Sequence, residues 1–181
     1  MALSERAILK SEVRWAIVVG SVVALILGAI LFAAIAMHMN PPSNQEYADP
    51  KTLHLSPEFT EANLGTTVQP NGQIVARMIA TQFEFVPNCI LLPADRDVTL
   101  RITSPDVIHG LLITGTNVNT MVVPGYISQV HTRLTKTGDL LMPCHEYCGL
   151  GHSQMLATVR VVPPDQFRPD AQGRAACGNR G

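Results

Sequence analysis

Two hydrophobic rhythms divide this chain. From Trp15 to Met37 the run WAIVVGSVVALILGAILFAAIAM contains no charged residue. About 20 apolar residues suffice to cross a bilayer as a helix, and no amphipathic stripe breaks this run, as expected where lipid lies on most sides. From Gln73 onward the apolar residues come in short bursts. Ile74 to Phe85 is rich in β-branched and aromatic residues, and Asp97 to Thr103 alternates, with Val98, Leu100 and Ile102 on one face and Thr99, Arg101 and Thr103 on the other. That period of two marks a half-buried strand. Further strands are expected at 107–114, 120–123, 127–134, 139–142 and 156–162, punctuated by Pro93, Pro105, Gly115, Pro124-Gly125, Gly138 and Pro163-Pro164. Several short strands at this spacing predict a β-sandwich or barrel.

The pattern yields five segments: an N-terminal stretch 1–14, a transmembrane helix 15–38, a stalk 39–72, a β domain 73–163 and a C-terminal tail 164–181. The stalk is polar and rich in Pro and Asn. Within it Ser56-Pro57-Glu58 has the order of a helix start, with Pro at the first helical position, and Gly65 would end that short helix. The tail is expected to be loosely held. Arg6, Lys10 and Arg14 precede the apolar run, and no Lys or Arg follows it before Lys51. Positive charge marks the cytoplasmic side, so the N-terminus is placed in the cytoplasm and everything after His38 outside. Ala34-Ile35-Ala36 has the form of a signal cleavage site. The apolar run is nevertheless longer than the 7–15 residues usual for a signal peptide, and it is read as an uncleaved anchor.

Composition narrows the function. The chain has 181 residues and a formal net charge of −1, which leaves no basic footprint for nucleic acid. Four cysteines are too few for a disulfide-rich scaffold in a domain large enough to build a core. Cys89 is read as a small buried hydrophobe and Cys177 as a free thiol in the tail. His54 and His131 are expected on the surface, and His38 at the helix end.

The informative stretch is Cys144-His145-Glu146-Tyr147-Cys148-Gly149-Leu150-Gly151-His152-Ser153-Gln154-Met155. Its spacing is C-x3-C-x3-H-x2-M, with a strand expected on each side, so two thiols, an imidazole and a thioether share one loop. Soft sulfur ligands select copper over hard cations. A second histidine, His109, lies on a turn-rich strand that a sandwich could bring to the loop. Four arrangements remain open on spacing alone. Zinc held by Cys144, Cys148, His109 and His152 leaves Met155 idle. A Cys144–Cys148 disulfide leaves both histidines unexplained. A mononuclear blue copper site leaves one cysteine over. A two-copper site, with both thiolates bridging, uses every group. His145 lies between ligands and is not read as one.

The loop CHEYCGLGHSQM resembles the CuA loop of subunit II of haem–copper oxidases, and Ile102-Thr103-Ser104-Pro105-Asp106-Val107-Ile108-His109-Gly110 resembles the strand bearing that family's first histidine. The single membrane helix and the wording Tyr147-Cys148-Gly149-Leu150-Gly151-His152 are most similar to the B-family of these oxidases. The resemblance implies an all-β cupredoxin Greek-key sandwich anchored by one N-terminal transmembrane α-helix. It implies two copper ions held by His109, Cys144, the Glu146 carbonyl, Cys148, His152 and Met155, with no residue acting as an acid, base or nucleophile. It further implies that the Glu146 carboxylate helps bind a magnesium ion at the contact with the large subunit, and that the second histidine, His152, faces the electron exit.

The implied partners are a haem-bearing catalytic subunit I, a cytochrome c or cupredoxin electron donor, and the lipid bilayer of a bacterial or archaeal cell membrane, with the copper domain periplasmic. The implied function is that of the electron-input subunit of a terminal oxidase that reduces oxygen. The alternatives are the same domain serving a nitric oxide reductase, or a membrane-anchored copper chaperone. Asp106 is a candidate hydrogen-bond partner for a metal-bound imidazole, set against a turn hydrogen bond after Pro105. Two departures from the family stand out. Trp15 is the only tryptophan, and the region matching the family's Trp-rich stretch is Thr81-Gln82-Phe83-Glu84-Phe85. The chain also contains no C-x-x-C-H, so it carries no c-type haem of its own.

Overall fold

The computed structural model describes residues 5–36 and 46–178, and the chain divides into two compact units, Met1–Asn44 and Gln45–Gly181. Among the described residues of the first unit, one α-helix, α1, runs Glu5–Ala36 and is long and apolar enough to cross a membrane. It starts well before Trp15, because Glu5 to Arg14 contains neither Gly nor Pro and is made largely of good helix formers. Arg6, Lys10 and Arg14 recur every four residues and so share one face of this extension. Its 32 residues span about 48 Å at the usual rise, against an apolar layer of about 30 Å. The apolar stretch alone can therefore cross, leaving the basic turns at an interface. Residues 1–4, Met37 and His38, the stalk residues 39–45, and 179–181 lie outside the described residues.

Among the described residues, the second unit has twelve strands. They are β1 (Glu46–Tyr47), β2 (Gly65–Val68), β3 (Ile74–Thr81), β4 (Glu84–Val86), β5 (Cys89–Pro93) and β6 (Asp97–Thr103), then β7 (His109–Leu112), β8 (Asn119–Val122), β9 (Tyr126–Arg133), β10 (Gly138–Pro143), β11 (Leu156–Val162) and β12 (Arg174–Ala175). One sheet has the order β1-β9-β6-β3-β2-β12, with β4 also paired to β3. A second has the order β10-β11-β5, and β7 and β8 form a two-stranded ribbon. Most pairs are antiparallel, but β3 runs parallel to β6 and β11 parallel to β5. One core joins these layers, drawing Met78 from β3, Leu100 and Ile102 from β6, Leu111 from β7, Met142 from β10 and Val159 from β11.

The alternation in β6 behaves as its sequence predicts: Val98, Leu100 and Ile102 are buried while Thr99 and Arg101 are half-buried. Thr103 departs from the pattern and is fully buried. Its hydroxyl donates to the Tyr126 carbonyl at 2.8 Å, which satisfies the group that burial strips of water.

Three regions differ from the sequence reading. Ser56–Glu58 does not start a helix. Short 3-10 turns occupy Pro50–Leu55 and Glu61–Asn63, and Gly65 opens β2 instead of closing a helix. The segment from Glu46 onward is not a free stalk either. Leu53 and Phe59 are buried with Ala48 against Ile79 and Ile127, and the Arg101 guanidinium donates to both Glu46 and Glu58. Finally, the tail is tied down. Strand β12 pairs with β2, and Cys177 forms a disulfide with Cys89. Cys89 is therefore no isolated hydrophobe and Cys177 no free thiol. With Cys144 and Cys148 read as candidate metal ligands in a domain expected outside the cytoplasm, the even cysteine count leaves Cys89 and Cys177 as a pair, a signal that the count alone carried.

Candidate metal centre

The loop between β10 and β11 is closed at its base by the Cys144 N–H, which donates to the Met155 carbonyl at 3.0 Å. From outside, His145 N–H donates to the Gly110 carbonyl at 3.2 Å, and Leu111 bridges to Cys144. These contacts draw β7 against the loop and bring His109 in from a distant part of the sequence. Farther along, Gly149 sits at φ +128°, a conformation that favours glycine. A 3-10 turn at His152–Gln154 follows, closed by Met155 N–H to the His152 carbonyl at 3.1 Å. Residues three apart eclipse in such a turn, so His152 and Met155 fall on the same side.

The result is two half-sites around two thiols. Cys144 Sγ lies 4.0 Å from His109 Nδ1 and 3.2 Å from the Glu146 carbonyl oxygen. Cys148 Sγ lies 3.6 Å from His152 Nδ1 and 3.7 Å from Met155 Sδ. One ligand atom each of His109, Cys144 and Cys148 falls within 4.8 Å of the others. A tetrahedral ion with sulfur and nitrogen ligands at their usual bond lengths sets those two atoms roughly 3.5 Å apart. The Cys148–His152 separation of 3.6 Å matches that spacing and the Cys144–His109 separation of 4.0 Å exceeds it by about half an ångström, so the soft donor set fits a bound metal after a small closure on the His109 side. Cys144, Cys148, His109 and Met155 are all buried, which keeps water from competing for the positions they surround.

Electrostatics favour the neutral thiol until a metal arrives. Burial pushes the Cys148 thiol up to about 11, and the neighbouring Cys144 adds to the shift. Loading must therefore displace a proton from the Cys148 sulfur. Asp106 behaves in the opposite way. Burial works to raise it, but the His109 ring, the backbone N–H groups of Gln82 and Val107 and the Thr81 hydroxyl outweigh burial and hold the carboxyl well below its ordinary range. The resulting carboxylate lies 2.9 Å from His109 Nε2. Asp106 thus makes both contacts weighed from the sequence, the turn hydrogen bond to Val107 N–H and the imidazole contact.

All six residues singled out from the sequence meet here. His145 stays outside, exposed, its ring over Gly110. His54 and His131 are exposed as expected. The Glu146 side chain is half-buried beside the loop. The sequence singled out Gln82 and Phe83 only within the counterpart of the family's Trp-rich stretch, and their contact with the cysteine loop was missed. The Gln82 amide donates to the Cys148 carbonyl, and the Phe83 ring packs against Gly149 and Gly151. Nothing in their local pattern signals that contact, since they reach the loop only through the fold.

Comparison with known proteins agrees with this geometry. The family described as "Cytochrome C oxidase subunit II, periplasmic domain" matches residues 56–162. One cytochrome c oxidase subunit 2 of Thermus thermophilus is 30% identical over 161 residues, covering 87% of this chain and 95% of that protein. A second Thermus thermophilus cytochrome c oxidase subunit 2 is 34% identical over 121 residues, covering 67% and 90% respectively. A chain of a heme-copper terminal oxidase dimer solved by cryo-EM shares the fold, with a TM-score of 0.60 at 24% identity over 84% of this chain and 98% of that one. The β unit is accordingly a cupredoxin sandwich, its cysteine loop is the family's copper-binding candidate, and the chain belongs to the cytochrome c oxidase subunit II family, as the electron-input subunit of a terminal oxidoreductase.

Proposed function

We propose that this chain holds a binuclear CuA centre and relays single electrons to a haem-bearing catalytic subunit that reduces oxygen. The observation that carries the reading is the pairing of donors around the two thiols. Each thiol has one imidazole and one weak donor beside it: His109 and the Glu146 carbonyl for Cys144, His152 and Met155 for Cys148. One ion cannot use this set, whereas two ions sharing both thiolates use all of it. Zinc has no need of Met155, yet that thioether is fully buried and aimed at Cys148.

Two coppers held there supply reversible one-electron storage. The chain's own task is to keep the ligands from moving as charge changes. The sandwich fixes both loop ends, and Asp106 orients the His109 ring so that Nδ1 faces the sulfur. His109 is fully enclosed while His152 is half-buried, which supports His152 as the ligand on the exit side. The donor is a cytochrome c or a small copper protein. The Glu146 carboxylate, whose carbonyl faces the site, is free to take a magnesium ion with the large subunit, a hard cation suited to oxygen. The anchor crosses the cell membrane once, with the N-terminus cytoplasmic and the copper unit periplasmic.

The test is copper stoichiometry and paramagnetic resonance on the purified full-length chain. Two coppers per chain, sharing one unpaired electron, support the reading. One copper with a blue mononuclear spectrum, or zinc in its place, overturns it.

A further inference from the structure

Thr81, Gln82 and Phe83 connect β3 to β4 and pass both sources of metal ligands. The Gln82 N–H donates to Asp106 Oδ2 at 2.7 Å, and Thr81 Oγ1 donates to the same oxygen at 2.8 Å. The other carboxylate oxygen, Oδ1, faces His109 Nε2 at 2.9 Å. In the opposite direction the Gln82 side-chain amide donates to the Cys148 carbonyl, 66 residues away in sequence. The next residue, Phe83, lies so close that a Cβ added to Gly151 would fall 2.5 Å from its Cγ.

We infer that Gln82 is a positioning residue that ties the two halves of the metal centre together, through Asp106 to His109 on one side and directly to Cys148 on the other. The inference rests on the copper reading above. His109 and Cys148 belong to separate elements, so their spacing depends on long-range contacts. The Cys144 end of the loop is held by its hydrogen bonds to Met155 and Gly110 and by the Leu111 bridge. The arc from Cys148 to His152 is braced internally by the turn from His152 N–H to the Gly149 carbonyl. The Gln82 amide reaches that arc from outside the loop. One residue therefore sets both the His109 ring, through its main chain, and the Cys148 backbone, through its side chain. Its amide dipole also points positive charge at the Cys148 peptide, which favours the reduced form of a centre next to it.

The experiment compares full-length wild type with Gln82→Ala, Gln82→Glu, Gln82→Lys and the neighbouring control Glu84→Ala. Alanine removes the donor and keeps the main-chain contact to Asp106. Glutamate keeps the length but sets an acceptor against a carbonyl, and lysine restores a donor. In the metal-free proteins, hydrogen exchange at Gly149–His152 should quicken in the alanine and glutamate variants while exchange in β3 and β6 stays unchanged. After loading, copper loss to excess chelator should quicken about tenfold in the alanine variant, the low end for residues that orient metal ligands. Loss should be at least as fast with glutamate and near wild type with lysine. The reduction potential of the alanine variant should fall. Wild-type retention and potential in Gln82→Ala overturn the inference, as does equal retention in the glutamate and lysine variants, which would assign the effect to packing. Failure of the wild type to bind copper overturns the copper reading instead, so the two failures are told apart. Exchange that quickens across every strand of the alanine variant also overturns the inference, because it makes Gln82 a general support of the fold.

Discussion

The His109 imidazole presents Nε2 to Asp106 Oδ1 at 2.9 Å and Nδ1 toward Cys144 Sγ at 4.0 Å. A carboxylate at Nε2 holds the proton there and leaves Nδ1 free as a ligand, so the neighbour fixes both tautomer and ring direction. Replacing Asp106 with Ala should cut copper affinity by about 10–100-fold. Asn keeps an acceptor and should lose less. Chelator competition on the full-length chain measures both. Equal, wild-type affinity in the two variants would show that ring orientation is set elsewhere.

Gly110 lies where the loop crosses β7. A Cβ there would fall 2.6 Å from the His145 ring and 2.9 Å from the Glu146 backbone nitrogen. The ring can swing aside, but the backbone carrying the Glu146 carbonyl cannot move without shifting Cys144. Gly110→Ala should therefore cost about 1–3 kcal/mol, as overpacking does, and alter the copper spectrum. Adding His145→Ala should not restore the spectrum. Restoration would place the conflict in the ring alone.

The Cys89–Cys177 disulfide spans 88 residues of sequence and joins the tail to the strand paired in parallel with β11. Closing so long a loop restricts the unfolded chain, and removing such a bond costs about 2–4 kcal/mol. The double variant Cys89→Ser, Cys177→Ser should unfold at lower urea yet bind the same number of coppers, since neither sulfur belongs to the centre. Loss of copper at unchanged stability would contradict this division of labour.

Glu46 is held below the ordinary carboxylate range by its hydrogen bond to the Arg101 guanidinium, with burial opposing the shift. A lowered folded value means that the contact stabilises the fold above the unfolded pKa of about 4.5 and is lost as pH falls below it. Glu46→Gln should therefore flatten the acid side of the stability profile between about pH 5 and pH 3 and change little near pH 7. The effect is small, because Glu46 is half exposed to solvent. Urea midpoints across that range decide it, and an unaltered acid slope would mean that the contact contributes nothing to folding.

Local signals carried much of this structure, and contacts between distant segments carried the rest. The apolar run marked α1, and the alternation of Val98, Leu100 and Ile102 marked β6, because each period is set by backbone geometry alone. Five candidate ligands, His109, Cys144, Cys148, His152 and Met155, stood out because their residue types are costly to gather without chemistry to serve, whereas the Glu146 carbonyl was implied only by the resemblance to the CuA loop. Strand β5 was missed: Cys89–Pro93 is short, ends in proline and takes its place only by pairing with β11. The same reason hid β12 and the order of Glu46 to Val68, where Arg101, far along the chain, supplies the partner for Glu46 and Glu58. Gln82 reads as an ordinary polar residue beside a strand until the fold brings Cys148 next to it.

The tip of the copper loop offers a final prediction. Leu150 is 98% exposed and Tyr147 72% exposed, with Met121 also open to solvent on β8. Residues 39–181 carry ten Lys or Arg and twelve Asp or Glu, a balance of −2, too weak a field to steer a partner over long range. An apolar tip beside the metal ligands suits a donor that docks by burying it. Leu150→Ser should then lower the donor oxidation rate about tenfold at limiting donor, the equivalent of about 1.4 kcal/mol, just under the value for fully burying a leucine. The rate at saturating donor should hold, because no ligand is touched. Raising salt from low to physiological levels should change the wild-type rate by less than about threefold, since steered association falls far more steeply with ionic strength. Stopped-flow mixing of reduced donor with the intact complex measures all three. A steep fall with salt, together with an unaffected Leu150→Ser variant, would move the docking site from this apolar tip to a charged patch elsewhere on the domain.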